Sequence, residues 1–208
     1  LNAGGGNFAP PVDTVIDLEV PFDTFPPLAA DVNADGKLDL LGYSLGGTPG
    51  VPAVFFLPGR GNGTFLQPRE ILPGSALAAG DFNGDRIPDL LFSRNSVLEV
   101  LLGNGEGFFQ SSATIGFSRW TDGADFNRDG RSDVATVLDQ TETQTTVGIH
   151  LAQADGTLRA AVRTVLDSSP LVADFNGDRV PDLVTSAGIW LGKGDGSFQP
   201  SRPYASLD

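Results

Sequence analysis

Four nine-residue stretches carry the residues with chemistry to do. They read DVNADGKLD (Asp31 to Asp39), DFNGDRIPD (Asp81 to Asp89), DFNRDGRSD (Asp125 to Asp133) and DFNGDRVPD (Asp174 to Asp182). Positions 1, 3, 5 and 9 are Asp, Asn, Asp and Asp in every copy. The candidate site residues are therefore Asp31, Asn33, Asp35 and Asp39; Asp81, Asn83, Asp85 and Asp89; Asp125, Asn127, Asp129 and Asp133; and Asp174, Asn176, Asp178 and Asp182. Oxygen side chains at alternating positions of a curled loop converge on one point, which suits a hard cation needing about six to eight oxygens. Calcium is the expected ion, one per loop. Magnesium demands a tighter octahedron and keeps several waters, and zinc prefers His or Cys, of which the chain has one and none. The competing reading is a set of Asx-turns that merely cap backbone amides. Turn capping needs one carboxyl oxygen, whereas three aspartates recur in each loop.

The elements that position these loops follow from the repeat. The acidic stretches begin at residues 31, 81, 125 and 174. Each is followed by a glycine turn: LPGRGNGTF from Leu57, LGNGEGFF from Leu102, LAQADGTL from Leu151 and LGKGDGSF from Leu191, with a further LNAGGGNF at the start of the chain. Short apolar runs such as IPDLLFS, VLEVLL and TVGIHLA lie between. Each unit reads as strand, acidic loop, strand, turn, strand, glycine turn, strand, which is the pattern of a four-stranded propeller blade. A β-sandwich has such strands but does not demand the fixed repeat. The expected fold is all-β, a propeller of four-stranded antiparallel blades: a partial blade over 1–22 and full blades over 23–74, 75–118, 119–167 and 168–208. An EF-hand shares the opening of the acidic motif. Its loop ends in Glu at position 12, where this chain has Gly42, Phe92, Thr136 or Thr185, and Pro88 and Pro181 oppose an exiting helix.

Bulk composition agrees. The 208 residues are 40% hydrophobic and 19% charged, with 27 Gly and 15 Pro, so a folded domain rich in turns and nearly free of helix is expected. A net charge of −13 excludes nucleic acid and anionic membrane as partners, and no apolar run reaches the length of a membrane span. The acidic loops hold 12 of the 26 acidic residues, and four divalent ions would move the net charge from −13 to −5, so most of the net negative charge reads as cation demand. Calcium sites of extracellular modules bind at roughly 10⁻⁴ to 10⁻³ M, which points to a secreted or cell-surface protein. The chain starts without Met or a recognisable signal peptide, as expected for a processed or excised piece.

The paired elements D-x-N-x-D-x-x-x-D and L-G-x-G-x-G-x-F resemble the FG-GAP/VCBS repeats of integrin-α-type propellers, over essentially the whole chain. The resemblance implies calcium ligation by the sixteen side chains named above and by the backbone carbonyls of Lys37, Ile87, Arg131 and Val180. It also implies seven blades, against four full units and a leading half unit here. A fragment of a larger propeller, closure with fewer blades, or completion by a second copy in a homo-oligomer would each account for the difference. The third glycine turn, LAQADGTL, lacks the first glycine and has Leu158 for the aromatic, so it is expected to be less regular.

No catalytic constellation is present, and no enzymatic activity is expected. His150 lies in a strand-like run, no Ser/His/Asp set forms, and the glycine turns lack the Lys-Ser/Thr and helix of a phosphate loop. The expected function is a calcium-stabilised interaction module that binds a protein or glycan ligand, with a lectin or the accessory domain of a larger secreted enzyme as alternatives. Recognition is expected on the end opposite the acidic loops, in the less repetitive segments 21–27, 44–50, 116–123 and 139–146. Arg119 and Trp120 are the candidate contact pair there, although Trp120 at a strand start also suits packing between blades, and Trp190 reads as core. Arg86 and Arg179, which take position 6 where the other loops have glycine, are expected to weaken calcium binding in their loops.

Overall fold

The computed structural model describes residues 2–4, 7–8, 27–44, 52–118 and 120–204. Two short strands, β1 (Asn2–Gly4) and β2 (Asn7–Phe8), pair around the first glycine segment. Sixteen further strands form four antiparallel sheets, each a meander of four consecutive strands. Blade 1 comprises β3 (Leu28–Ala30), β4 (Asp39–Ser44), β5 (Ala53–Leu57) and β6 (Arg69–Pro73). Blade 2 comprises β7 (Ser75–Gly80), β8 (Asp89–Arg94), β9 (Val97–Gly103) and β10 (Phe109–Gly116). Blade 3 comprises β11 (Thr121–Ala124), β12 (Asp133–Gln140), β13 (Thr145–His150) and β14 (Val162–Leu166), and blade 4 comprises β15 (Leu171–Ala173), β16 (Asp182–Val184), β17 (Gly188–Trp190) and β18 (Arg202–Pro203). No helix occurs among the described residues.

The inner strands explain their own composition. A strand places successive side chains on opposite faces, and a blade between two others is covered on both. In blade 2, Leu90, Phe92 and Leu101 point back into a cluster with Val32, Leu41, Val54 and Phe56 of blade 1. Leu91 and Val100 point forward, with Phe82, to Val134 of blade 3. Blade 3 repeats the arrangement, sending Phe126, Ala135, Ile149 and Leu166 against Leu183 and Phe198 of blade 4. Continuous apolar runs are thus required where simple alternation would leave one face wet.

Position 2 of the first three acidic loops joins one blade to the next. Val32, Phe82 and Phe126 are each 1% exposed beneath the following blade, and Phe126 meets Phe198 edge-on at 6.1 Å. Phe175, the same position in blade 4, is 48% exposed, and Leu171 on the same face is 70% exposed. The forward face of blade 4 is therefore open to solvent.

Candidate functional site

The acidic loops link the first strand of each blade to the second, and the glycine turns link the third to the fourth, so both lie at one end of every sheet. The segments at the opposite end include the described parts of 116–123 and 139–146. Residues 21–26, 45–50 and Arg119, together with most of the 1–22 half unit, lie outside the described residues.

One set of backbone hydrogen bonds builds all four loops. The N–H of position 5 donates to the carboxylate of position 1 and to the Asn side chain of position 3: Asp35 to Asp31 at 3.0 Å and Asn33 at 3.1 Å, Asp85 to Asp81 at 3.1 Å and Asn83 at 2.9 Å. Asp129 and Asp178 make the same pairs of bonds with Asp125 and Asn127, and with Asp174 and Asn176. The N–H of position 6 reaches the other oxygen of position 1, from Gly36, Arg86, Gly130 and Arg179 at 2.8–2.9 Å. The N–H of position 7 donates to position 5, from Lys37, Ile87, Arg131 and Val180.

Position 9 has a different task. Asp39, Asp89, Asp133 and Asp182 are fully buried. One oxygen of each accepts the N–H of position 2 in its own loop, from Val32, Phe82, Phe126 and Phe175. The other accepts an N–H of the glycine turn, from Gly59, Gly103, Ala152 and Gly192 at 2.7–2.9 Å. This carboxylate clamps the acidic loop to the glycine turn. Burial pushes the pKa of Asp89 and Asp133 up to about 6, with a smaller push from the neighbouring loop carboxylates, against the pull of the two N–H groups.

The clamp explains the first glycine of the turn. A Cβ on Gly59, Gly103 or Gly192 would sit 2.0–2.4 Å from the carbonyl oxygen of Leu38, Pro88 or Pro181. The third turn is more regular than its sequence suggests. Gln153 N–H donates to Thr157 O at 2.9 Å, the same frame as Arg60 to Thr64, Asn104 to Phe108 and Lys193 to Ser197, and Ala152 bridges Leu158 as Gly192 bridges Phe198. The loop of blade 3 has Ser132 where the others have Leu38, Pro88 and Pro181, and only there is the turn residue an alanine.

The two loop types share one backbone. Positions 4 and 6 both have positive φ throughout: Ala34 and Gly36, Gly84 and Arg86, Arg128 and Gly130, Gly177 and Arg179. Each loop thus holds one glycine and one residue that pays a modest steric cost, so the backbone strain expected to single out the Arg86 and Arg179 loops is shared by all four. Arg86 and Arg179 are exposed, and their guanidinium groups bond no described residue. The cations that do touch loop carboxylates are elsewhere. Lys37 Nζ lies 3.0 Å from Asp35, Arg131 pairs with Asp129, and Arg128 reaches across to Asp178 of the next blade at 3.5 Å.

The donor chemistry of each loop fits a hard cation: only oxygen ligands, three formal negative charges, and a second lone pair on each oxygen that already accepts an N–H. The carboxylates of a loop are held apart by those N–H groups, and among the described residues no three acidic or His side chains converge at metal-binding distance. In blades 2 to 4 the free oxygen of position 5 takes the Asn amide instead, from Asn83, Asn127 and Asn176 at 2.8–3.0 Å.

The other singled-out residues are structural. His150 Nε2 lies 3.1 Å from Thr136 Oγ1, and burial lowers the imidazole pKa. Trp120 and Trp190 are half-buried against the cluster between blades 3 and 4. The sequence reading missed Phe108. The other turns have Thr64, Thr157 and Ser197 at that place, each bonded to Asn62, Asp155 or Asp195, whereas Phe108 is 59% exposed. Misalignment with its own repeats was the available signal.

No curated protein sequence matches the chain. Among solved structures, a lectin of Agrocybe aegerita described for specific recognition of non-reducing terminal N-acetylglucosamine aligns with a TM-score of 0.59 at 17% identity. The alignment covers 86% of this chain, which spans 65% of the lectin's length; at that identity the likeness is one of fold, a β-propeller. The sequence profile of the FG-GAP-like repeat matches residues 81–136 and 125–185, half of the chain, and the protein belongs to the FG-GAP-like repeat family.

Proposed function

We propose that this propeller is a non-catalytic recognition module that works outside the cell, with calcium bracing its four acidic loops. The observation that carries the reading is the recurrence of one loop design, three aspartates and one asparagine wrapped by the same N–H groups, on a scaffold whose other end does not repeat. Calcium would be held by positions 1, 3, 5 and 9 of each loop with the carbonyls of Lys37, Ile87, Arg131 and Val180. It would supply positive charge where the chain supplies little, displacing the Asn amide or the Lys37 and Arg131 side chains from position 5. Sites of roughly 10⁻⁴ M affinity at millimolar calcium would each add about 1.4 kcal/mol, a large share of a marginal stability when summed over four loops. At cytosolic calcium they would be empty, which supports an extracellular setting. Thermal melts in chelator and in millimolar calcium test this: a rise with calcium is expected, and identical melts refute the brace.

The ligand is a protein taken by the non-repeating end of the blades or a glycan taken at the glycine turns, on the end of the acidic loops. The glycan reading is favoured by an open cleft between blades 2 and 3 that carries an exposed aromatic ring. Pairing of copies through the forward face of blade 4 is tested by the mass in solution. No helix among the described residues is long and apolar enough to cross a membrane.

A further inference from the structure

Phe108 is the residue least explained by the scaffold. Its ring lies 4.9 Å from the Arg69 guanidinium, which also stands 4.9 Å over Phe56, and Arg69 Nη2 donates to the carbonyl of Gly107 at 3.0 Å. The ring is held by a cation–π contact to blade 1, on a turn fixed by Gly105 and Gly107 at positive φ. It remains 59% exposed and lines a cleft of about 520 Å³ that extends to the glycine turn of blade 3.

The cleft exists because two blade junctions differ. Gly107 of blade 2 and Gly156 of blade 3 hold the same place in their turns. Gly107 lies against the Arg69 side chain and Phe56, so the guanidinium fills the first junction. Gly156 lies against Ser112 and Leu102, and the small serine leaves the second junction open.

Hydrogen-bonding groups converge there with spare capacity. Asn104 Oδ1 is taken by the N–H groups of Glu106 and Phe108, which leaves its amide donors free. Asp155 Oδ1 is taken by Thr157, which leaves Oδ2 as an acceptor, and Thr157 keeps that carboxyl below the usual range. The side chains of Gln110 and Ser112 line the cleft and make no hydrogen bond to any described residue. Amide donors, a hydroxyl and a carboxylate acceptor beside one aromatic face match a ring with hydroxyls on its edge and C–H groups on its face. Among the described residues the lining holds no basic side chain, so an anionic ligand finds no counter-charge there.

We propose that the cleft between blades 2 and 3 binds a neutral saccharide residue, with Phe108 as the stacking platform and Asn104, Gln110 and Asp155 reading the hydroxyls. This rests on the recognition-module reading and names its ligand class. The test is a titration of the full chain, followed by amide NMR, with the methyl glycosides of glucose, galactose and N-acetylglucosamine, and with glucuronate and tetramethylammonium as charged probes. The variants are Phe108→Thr, which installs the residue of two other repeats, and Gln110→Ala, which removes an exposed amide that supports no fold contact. At least one neutral glycoside is expected to shift amides of residues 102–112, with affinity reduced about tenfold or more in both variants and melting unchanged. Saturable binding that both variants retain overturns the cleft assignment and leaves the module reading standing. Preference for tetramethylammonium or glucuronate, or no binding of any glycoside, overturns the saccharide assignment, whereas the calcium brace is judged separately by the melts in chelator.

Discussion

Asp89 sets two large effects against each other, and pH separates them. Its carboxylate is fully buried and accepts the N–H of Phe82 at 2.7 Å and that of Gly103 at 2.9 Å. Its pKa stands at about 6, against the ordinary 3.8, because burial disfavours the charge. The native state therefore holds a proton over a pH range in which the unfolded chain has lost it, and stability falls as pH rises from about 4 to 6. A difference of about two pH units corresponds to roughly 3 kcal/mol at pH 7.5. An Asp89→Asn exchange removes that charge but keeps one acceptor oxygen, orphaning one buried N–H at about 1–3 kcal/mol. The D89N protein should thus be less stable than the parent by about 1–3 kcal/mol at pH 4, where little charge is relieved, and equal or more stable at pH 7.5. Asp89→Ala loses both acceptors and should lie about 2–6 kcal/mol below the parent at pH 4. Urea denaturation across this range in chelator gives the values. A gap between D89N and parent that stays constant with pH would refute the buried-charge argument.

Three further outcomes follow from the same geometry. Gly103→Ala drives a Cβ to 2.3 Å from the Pro88 carbonyl and should cost about 1–3 kcal/mol in a denaturation series, whereas Ala152→Gly should change stability by about 1 kcal/mol or less. Phe126→Ala empties the junction of blades 3 and 4 and should lose about 3–5 kcal/mol, while Phe175→Ala, on the open face of blade 4, should stay within about 1 kcal/mol; equal losses would deny the forward-face packing. In calcium titrations by calorimetry, Lys37→Ala should tighten binding by freeing Asp35, and Arg86→Ala, whose side chain bonds no described residue, should leave it unchanged. A larger effect at Arg86 would restore the expectation drawn from the sequence.

Much of this architecture was legible in the chain itself. The strand-loop-strand-turn order recurs four times, and local spacing is enough to specify a meander and to place acidic loop and glycine turn at one end of each sheet. What the spacing could not supply was the division of labour among the aspartates. Position 9 looks like positions 1 and 5 in the sequence, but the pleat of the second strand turns it inward, where two backbone N–H groups from separate segments each take one of its oxygens. Nor could glycine placement reveal that positions 4 and 6 are both left-handed in every loop, because an exposed Ala34, Arg86, Arg128 or Arg179 can bear that conformation as glycine does.

The sequence by itself determined the blade, its repeat and the oxygen-rich loop, since each depends on residues within about fifty positions of one another. The tertiary structure alone decided how blades differ at their junctions. Arg69 fills one and Ser112 leaves the next open, and Phe108 gains a face only because a cation from the preceding blade holds its ring. Such features depend on side chains from neighbouring repeats meeting across a sheet face, and they differ from one junction to the next, so no repeated pattern marks them.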